Sequence, residues 1–255
     1  MKGIAAMKII IHGATGRMGR MVAAEAERGF AGAEIAALVG PDAPEGAAAN
    51  AYTALEHFRG EADCLVDFSH HTAIREVLDY CVLRSLPAVI ATTGHTDEEL
   101  AAIRQAARTI PVFFSANMSI GVALLADLAR RAAAAFPEAD IEIIEKHHNQ
   151  KLDVPSGTAL LLARGIQSVR VDSQLVIGRH ENGKRSPCEI GIHSLRMGNE
   201  VGTHEVIIAA GNETITLKHE AENRALFAQG ALRAAAFLCG KPSGLYSMEH
   251  IIEEE

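Results

Sequence analysis

The sequence predicts an α/β protein: a parallel sheet with helices on both faces, followed by a smaller α+β region whose sheet is mainly antiparallel. Three observations predict it. Short apolar runs alternate with helical patterns through the first half of the chain. That alternation stops near Asn117. From Glu189 onward the chain is rich in strand patterns and carries a hairpin signal.

The elements follow in order. Lys8–His12 is an apolar strand, Gly13–Gly19 a glycine loop, and Arg17–Arg28 a helix with Met18, Met21 and Val22 on one face. Gly29 stands where a C-terminal cap belongs. Ala33–Val39 and Asp63–Phe68 are the second and third strands, and Pro41–Ala51 is an Ala/Gly/Pro loop between them. His70 and His71 begin a helix capped by Ser69, with Ile74, Val77, Leu78, Cys81 and Val82 on its apolar face. Pro87–Ala91 is the fourth strand; Thr96 and Glu99 then form a capping box for a helix running to Arg108. Ile110–Phe114 is the fifth. Near-continuous apolar strands between helices indicate a parallel sheet buried on both sides.

Beyond Asn117 an alanine-rich helix, Ser119–Phe136, leads to the strand Ile141–Glu145, a polar loop, and a helix from Ser156. Glu205–Ala210 and Glu213–Glu220 are joined by Gly211-Asn212, a two-residue hairpin turn. A last helix starts near Asn223, stops at Gly240 before Pro242, and is expected to return to the first domain. The expected division is therefore residues 1–118 with 223–255, and residues 119–222.

Composition narrows the function. Hydrophobic residues make up 48% and charged residues 22%, and no apolar run reaches the roughly 20 residues that span a bilayer. The segment before Met7 carries no secretory pattern, and Met7 is an alternative start. The four cysteines form no C-x-x-C pair, which favours a reducing cytoplasm over a disulfide framework or a zinc site. A net charge of −8 argues against nucleic-acid binding, yet leaves room for a small anion held by a local cationic cluster.

Gly13-Ala14-Thr15-Gly16-Arg17-Met18-Gly19 lies between the first strand and the first helix. Glycines there let the backbone turn and approach a pyrophosphate, whose charge meets the N–H groups at the helix start. The placement predicts a Rossmann-type dinucleotide-binding domain. The second strand lacks the acid that usually holds the adenine ribose: it ends Leu38-Val39-Gly40. No Lys or Arg lies between Phe30 and Phe58 to receive a ribose phosphate, so NADH and NADPH both remain open.

The stretch Glu145–Thr158 (EKHHNQKLDVPSGT) carries the chemistry. Histidine exchanges protons near neutral pH, which qualifies His147 and His148; Lys151 adds a cation or a proton donor. Ser156, Gly157 and Thr158 present N–H groups and hydroxyls at a helix start, a seat for a carboxylate. Together they suit a small dianion that is bound and protonated. Adjacent histidines rarely reach one metal, so no metal site is expected.

These residues resemble a known family, that of 4-hydroxy-tetrahydrodipicolinate reductase (dihydrodipicolinate reductase). The matching blocks are Gly13–Gly19, Asp67-Phe68-Ser69, Ala91-Thr92-Thr93-Gly94, Ser115–Ser119, His147–Thr158, Ile192–Glu205, Glu222–Gly230 and Gly244-Leu245-Tyr246. The resemblance implies that Gly13, Ala14, Thr15, Gly16, Arg17 and Met18 contact the phosphates of NADH or NADPH. Ala91, Thr92 and Thr93 would line the nicotinamide side, with Ser115, Ala116, Asn117 and Met118 close by. His147 would be the proton donor or acceptor and Lys151 the proton donor; His148, Gly157 and Thr158 would hold a dicarboxylate substrate. It also implies a substrate domain through which four subunits associate.

Departures from the family pattern are Val39 and Gly40 in place of a common acid–base pair, Ala91 for a glycine, and Val154 for an alanine before Pro155. Two other readings compete. One is another two-domain NAD(P)-dependent dehydrogenase, acting on an amino-acid semialdehyde or similar carbonyl; its acyl-transfer version would want a reactive cysteine, and none lies in a matched motif. A non-catalytic dinucleotide sensor would have no need of His147, His148 and Lys151.

Overall fold

A computed structural model of the chain describes residues 6–43 and 50–254. Most of the Pro41–Ala51 loop and the segment before Ala6 lie outside those residues. The elements in chain order are β1 (Met7–His12), α1 (Arg17–Glu27), β2 (Ala33–Val39), β3 (Ala51–Tyr52) and β4 (Cys64–Asp67). Then come α2 (Ile74–Leu83), β5 (Ala88–Ile90), α3 (Asp97–Ala106), β6 (Pro111–Phe114), α4 (Ile120–Ala135) and β7 (Asp140–His147). The remainder are α5 (Gly157–Gln167), β8 (Gln174–Ile177), β9 (Glu189–Arg196), β10 (Gly202–Ala210), β11 (Glu213–Ala221), α6 (Ala225–Leu238), β12 (Gly244–Tyr246) and α7 (Met248–Glu254).

The chain divides into two units. One holds the residues before Ile120 and after Arg224; the other is Ile120–Arg224. In the first, seven parallel strands run in the order β12-β6-β5-β4-β1-β2-β3. From β1 the chain steps to β2 on one side and later returns to β4 on the other. The carboxyl end of β1 is thus a topological switch point, where open α/β sheets bind ligands. Val39, Leu65, Ile90 and Val112 join Ile74, Val77, Cys81 and Ile103 in one buried core, which is what apolar strands between amphipathic helices require.

Several local devices are as the residues dictate. Gly29 closes α1 in the left-handed region, at φ +74°, with its N–H on the Ala26 carbonyl. Thr96 and Glu99 form the capping box of α3: the Thr96 hydroxyl accepts from the Glu99 amide, and the Glu99 carboxylate from the Thr96 amide. The turn after Ser69 differs from expectation. A short 3₁₀ turn, His71–Ala73, precedes α2, and the His70 ring rather than Ser69 caps it. The imidazole nitrogen competes for the Thr72 amide because the chain tightens by one residue there.

The second unit holds a mixed sheet, β11-β10-β7-β9-β8. Its longest ladder is the antiparallel hairpin β10–β11, turned at Gly211-Asn212 with Gly211 at φ +59°. β10 also pairs antiparallel with β7, whereas β9 runs parallel to both β7 and β8. α4 and α5 cover one face, where Ile141, Ile143, Ile190, Ile192, Val206 and Ile208 pack with Leu125, Ala129 and Leu162.

The short elements β3, β8, β12 and α7 were not expected from the sequence; the strands are two to four residues long and too brief to show a period of two. α6 begins at Ala225 and belongs to the first unit, packing through Ala228, Gly230, Ala231, Ala234 and Ala235. These small residues permit a close approach: a Cβ at Gly230 would sit 1.7 Å from the Met118 carbonyl oxygen. The backbone must shift to admit any side chain there. Gly230→Ala should therefore destabilise by about 1–3 kcal/mol, read as a lowered Tm; an unchanged Tm would refute this packing.

Candidate active site

The site in the second unit begins with a strand alternation. On β7, Ile141 and Ile143 face the core, and the same spacing points Glu145 and His147 inward too. Two residues of the neighbouring strands join them. Register places Arg196 of β9 opposite His147, and His204 of β10 opposite Glu145. The apolar face of the sheet therefore turns polar at one end, on three adjacent strands.

Glu145 is fully buried. One of its oxygens accepts from His147 Nδ1 and, at 2.9 Å, from Arg196 Nη1. The other accepts from Arg196 Nη2 at 2.8 Å and from the Ser156 amide at 3.1 Å. Burial alone would push this carboxyl up, but the bonds from His147 and Arg196 win and hold it well below the usual carboxylate range. An anion with four donors is the outcome expected when a buried charge is fully paired.

His204 is the opposite case. Burial, and next the neighbouring His147 charge, push its pKa from the usual 6.5 down to about 3. Its Nε2 lies 3.1 Å from Ser156 Oγ, whereas Nδ1 has no hydrogen-bond partner among the described residues. A ring with the proton on Nε2 leaves only a lone pair unsatisfied, the cheaper of the two tautomers. Ser156 Oγ also accepts the Ala159 amide at 3.2 Å and so caps α5.

The connection from β7 to α5 is tied down along its length. Its backbone bonds run from His148 N to Glu200 O, Asn149 N to Gly198 O, and Met197 N to His147 O. Arg196 Nη2 reaches the Asp153 carbonyl at 2.7 Å. Lys151 pairs with Asp153 at 2.7 Å, and the His148 ring meets Arg224 at 3.1 Å. Gly157 and Thr158 form the first turn of α5, directly after the Ser156 cap. Gly202 packs on the His147 ring: a Cβ there would sit 3.0 Å from Nε2.

The first unit brings together a different set. Arg17, Met18, Ala91, Thr92 and Thr93 line one cavity of about 470 Å³. Phe68, Ser69, His70 and His71 complete it, and of these the two histidines were read from sequence only as a helix start. Ser115–Met118 do not line it. Instead the Ser115 hydroxyl donates to the Asn117 carbonyl, and Asn117 Oδ1 accepts the Ser119 amide, shaping the turn before α4. In the glycine loop, Gly13 has φ +78° and would clash with Phe68 if it carried a Cβ. A Cβ at Gly19 would sit 2.2 Å from the Gly13 carbonyl oxygen, so only glycine lets α1 start this close to the turn. Gly40 packs against Thr15, where a Cβ would be 2.9 Å from the hydroxyl. That contact occupies the end of β2 and leaves no side chain there to read a ribose. The loop, the start of α1 and the adjacent cavity fit a nicotinamide dinucleotide.

Beneath that loop, Asp67 is buried and accepts from Thr92 Oγ1 at 2.6 Å and the Ser69 amide at 3.2 Å, with His12 Nδ1 at 2.8 Å. Burial raises its pKa, and the bonds from His12, Ser69 and Thr92 overcome that and lower it. Sequence reading missed His12, Arg196 and His204 as site residues and left Glu145 and Asp67 as motif members without a role. The available signal was an acid at an inward position of an otherwise apolar strand.

The electrostatics set an acid sensitivity. Below pH 6.5 an unfolded chain protonates His204, while the folded one resists down to about 3, so stability falls with pH across that window. Glu145 acts in the same direction lower down: its stabilisation is present above the ordinary carboxylate pKa and is lost as pH falls through its depressed value. Urea midpoints measured from pH 7 to pH 4 should fall less steeply for His204→Gln than for wild type; parallel curves would contradict the assignment.

Both halves of the chain have known relatives. Residues 7–118 match the family model described as dihydrodipicolinate reductase, N-terminus, and residues 121–252 match dihydrodipicolinate reductase, C-terminus. A 4-hydroxy-tetrahydrodipicolinate reductase of Caldanaerobacter subterraneus subsp. tengcongensis is 43% identical, covering 97% of this chain and 99% of the relative. One from Clostridium tetani is 42% identical over 95% of this chain and 96% of its own length. Among solved structures, a dipicolinate-bound dihydrodipicolinate reductase from Paenisporosarcina sp. TG-14 superposes with TM-score 0.80 at 27% identity, covering 96% of this chain and 99% of the other. An aspartate semialdehyde dehydrogenase II from Vibrio cholerae, at 14% identity and TM-score 0.54 (91% of this chain, 98% of the other), shares the fold alone. With both family models matched in order and a glycine loop and His147–Thr158 segment built as described, the chain belongs to the dihydrodipicolinate reductase family.

Proposed function

We propose that this chain is an NAD(P)H-dependent oxidoreductase that reduces 4-hydroxy-tetrahydrodipicolinate to tetrahydrodipicolinate in lysine and diaminopimelate biosynthesis. The observation that carries the reading is the polar end of the second unit's sheet. There a histidine held by an ionised carboxylate shares one short connection with Lys151 and the start of α5. Bound NADH or NADPH supplies the hydride. Every other task falls to the chain's own groups.

The substrate is a ring dicarboxylate that must lose water, accept a hydride at a conjugated carbon and gain a proton at the adjacent one. Gly157 and Thr158 are suited to one carboxylate, through the N–H groups of the first turn of α5 and the Thr158 hydroxyl. His148 adds a ring nitrogen to the same task. Lys151 is the proton donor; its Nζ lies 2.7 Å from the Asp153 carboxylate, which fixes where the side chain ends. His147 takes or gives a proton at Nε2, since Nδ1 is engaged by Glu145. Dipicolinate bound to a relative of the same fold supports a dicarboxylate as the ligand class.

We assign nucleotide binding to the domain of residues 1–118 and 223–255. The glycine loop Gly13–Met18 would meet the phosphates, and Ala91–Thr93, with Ser115–Met118 nearby, the nicotinamide. Substrate binding and subunit association fall to residues 119–222, with four copies joining through the sheet face that α4 and α5 leave uncovered, where Leu195 is exposed. The place of work is the cytoplasm.

The test couples the protein to an aldolase that makes the substrate from aspartate semialdehyde and pyruvate, and follows absorbance at 340 nm with NADH and NADPH separately. Oxidation that requires the coupled substrate is expected, from a particle of about four times 27.1 kDa by light scattering. Lys151→Ala should lower kcat by roughly 10²-fold or more, the usual loss on removing a proton-transfer group. Folded protein without oxidation, or a Lys151→Ala protein that turns over like wild type, would contradict the reading.

A further inference from the structure

Glu145 lies outside the set of groups given a chemical task, yet it is fully buried with both carboxylate oxygens engaged. Its four hydrogen bonds all arrive from donors: His147 Nδ1, both terminal nitrogens of Arg196, and the Ser156 amide. Each carboxylate oxygen takes two of them. Arg196 and the Ser156 amide can only donate, so the position demands an acceptor at both oxygens.

We infer that Glu145 is the positioning residue of the reaction: its carboxylate fixes the His147 imidazole with the proton on Nδ1 and so presents Nε2 for proton transfer. This rests on the reading of His147 as the acid–base group. The geometry supports it in three ways. Glu145 and His147 are two residues apart on one strand, so their side chains share a face and the bond needs no loop to form. Arg196 supplies charge that keeps the carboxylate ionised and holds it from the far side, so it cannot rotate away. Gly202 leaves room for the ring edge beside Nε2, since a Cβ there would sit 3.0 Å from that nitrogen.

The chemistry of an amide replacement follows directly. In Glu145→Gln the side chain carries one acceptor oxygen and one donor NH₂. If the oxygen faces Arg196 Nη2 and the Ser156 amide, the NH₂ faces His147 Nδ1 and forces the proton to Nε2. If it is turned the other way, the NH₂ opposes the Ser156 amide and Arg196, and the anchor of α5 is lost. Neither arrangement preserves the wild-type site. Glu145→Asp keeps the acceptors with a shorter reach and should retain the tautomer.

The experiment reads the ring itself. Protein labelled with ¹⁵N-histidine, with His147 assigned by comparison with His147→Asn, reports the tautomer at alkaline pH whether or not the enzyme turns over. Wild type is expected to carry the proton on Nδ1, Glu145→Asp likewise, and Glu145→Gln to shift toward Nε2. In the coupled assay Glu145→Gln should lose kcat by on the order of 10²-fold or more, with KM changed far less, and Glu145→Asp should recover part of kcat. A wild-type ring protonated on Nε2 overturns the inference without recourse to any variant. So does a folded Glu145→Gln protein that keeps both the wild-type tautomer and a protected Ser156 amide, since an amide turned to accept from Nδ1 would lose the bond to that N–H. Should the coupled assay show no turnover in wild type, the proposed reaction fails while the spectrum still decides the role of Glu145.

Discussion

A carboxylate with no access to water sets the terms for half of this molecule. Taking Glu145 out of solvent costs several kcal/mol unless the charge is fully answered, and here it is answered from three directions. The donors come from β7 itself, from β9 and from the residue that caps α5. One buried anion therefore joins two strands, a helix start and the connection between them. Removing any partner would leave the charge short of a bond, so the arrangement stands or fails as a unit. Arg196 extends the same logic outward, since it also holds the Asp153 carbonyl. The polar connection that carries His148 and Lys151 is thereby given a definite course, although its tip is exposed.

The first unit solves a related problem with glycine and a second buried acid. A pyrophosphate needs backbone at close range, which the tight contacts around Gly13 and Gly19 provide. Asp67 then links the ends of three parallel strands: His12 ends β1, Asp67 ends β4, and Thr92 follows β5. The bonds converge at the switch point of the sheet, beneath the cavity lined by Thr92 and Thr93. In both units, then, a buried carboxylate stands under the surface to which chemistry is assigned, and pairing rather than solvent keeps it charged.

Much of this could be read from the residues, and what could not has physical reasons. Long apolar strands, the Thr96–Glu99 box, the Gly211-Asn212 turn and the glycine loop are local signals, and each element forms where its residues place it. His147, Lys151 and Thr158 lie within one continuous stretch, so the stretch was recognisable as a whole. Arg196 and His204 fell within the matching block Ile192–Glu205 but drew no role, because they are 51 and 59 residues from Glu145 and reach it only through sheet register. His12 escaped in the same way: at the end of a strand it looks like an ordinary core position until Asp67, 55 residues on, is seen beside it. The strand β12 and the helix α7 were too short to leave a period. Expecting β7 to stop at Glu145 had the largest consequence, since it put His147 in a loop instead of on the inward face of a strand.

The claim that Glu145 holds the start of α5 can be tested without substrate. Hydrogen exchange of the Ser156 amide, followed by NMR, measures whether that N–H is locked in its bond to the buried carboxylate. Exchange as slow as that of the Ile141 and Ile143 amides in the middle of β7 is the predicted result. Exchange as fast as that of the exposed Gln150 amide would mean that the junction opens freely, and that the buried carboxylate does not organise the site.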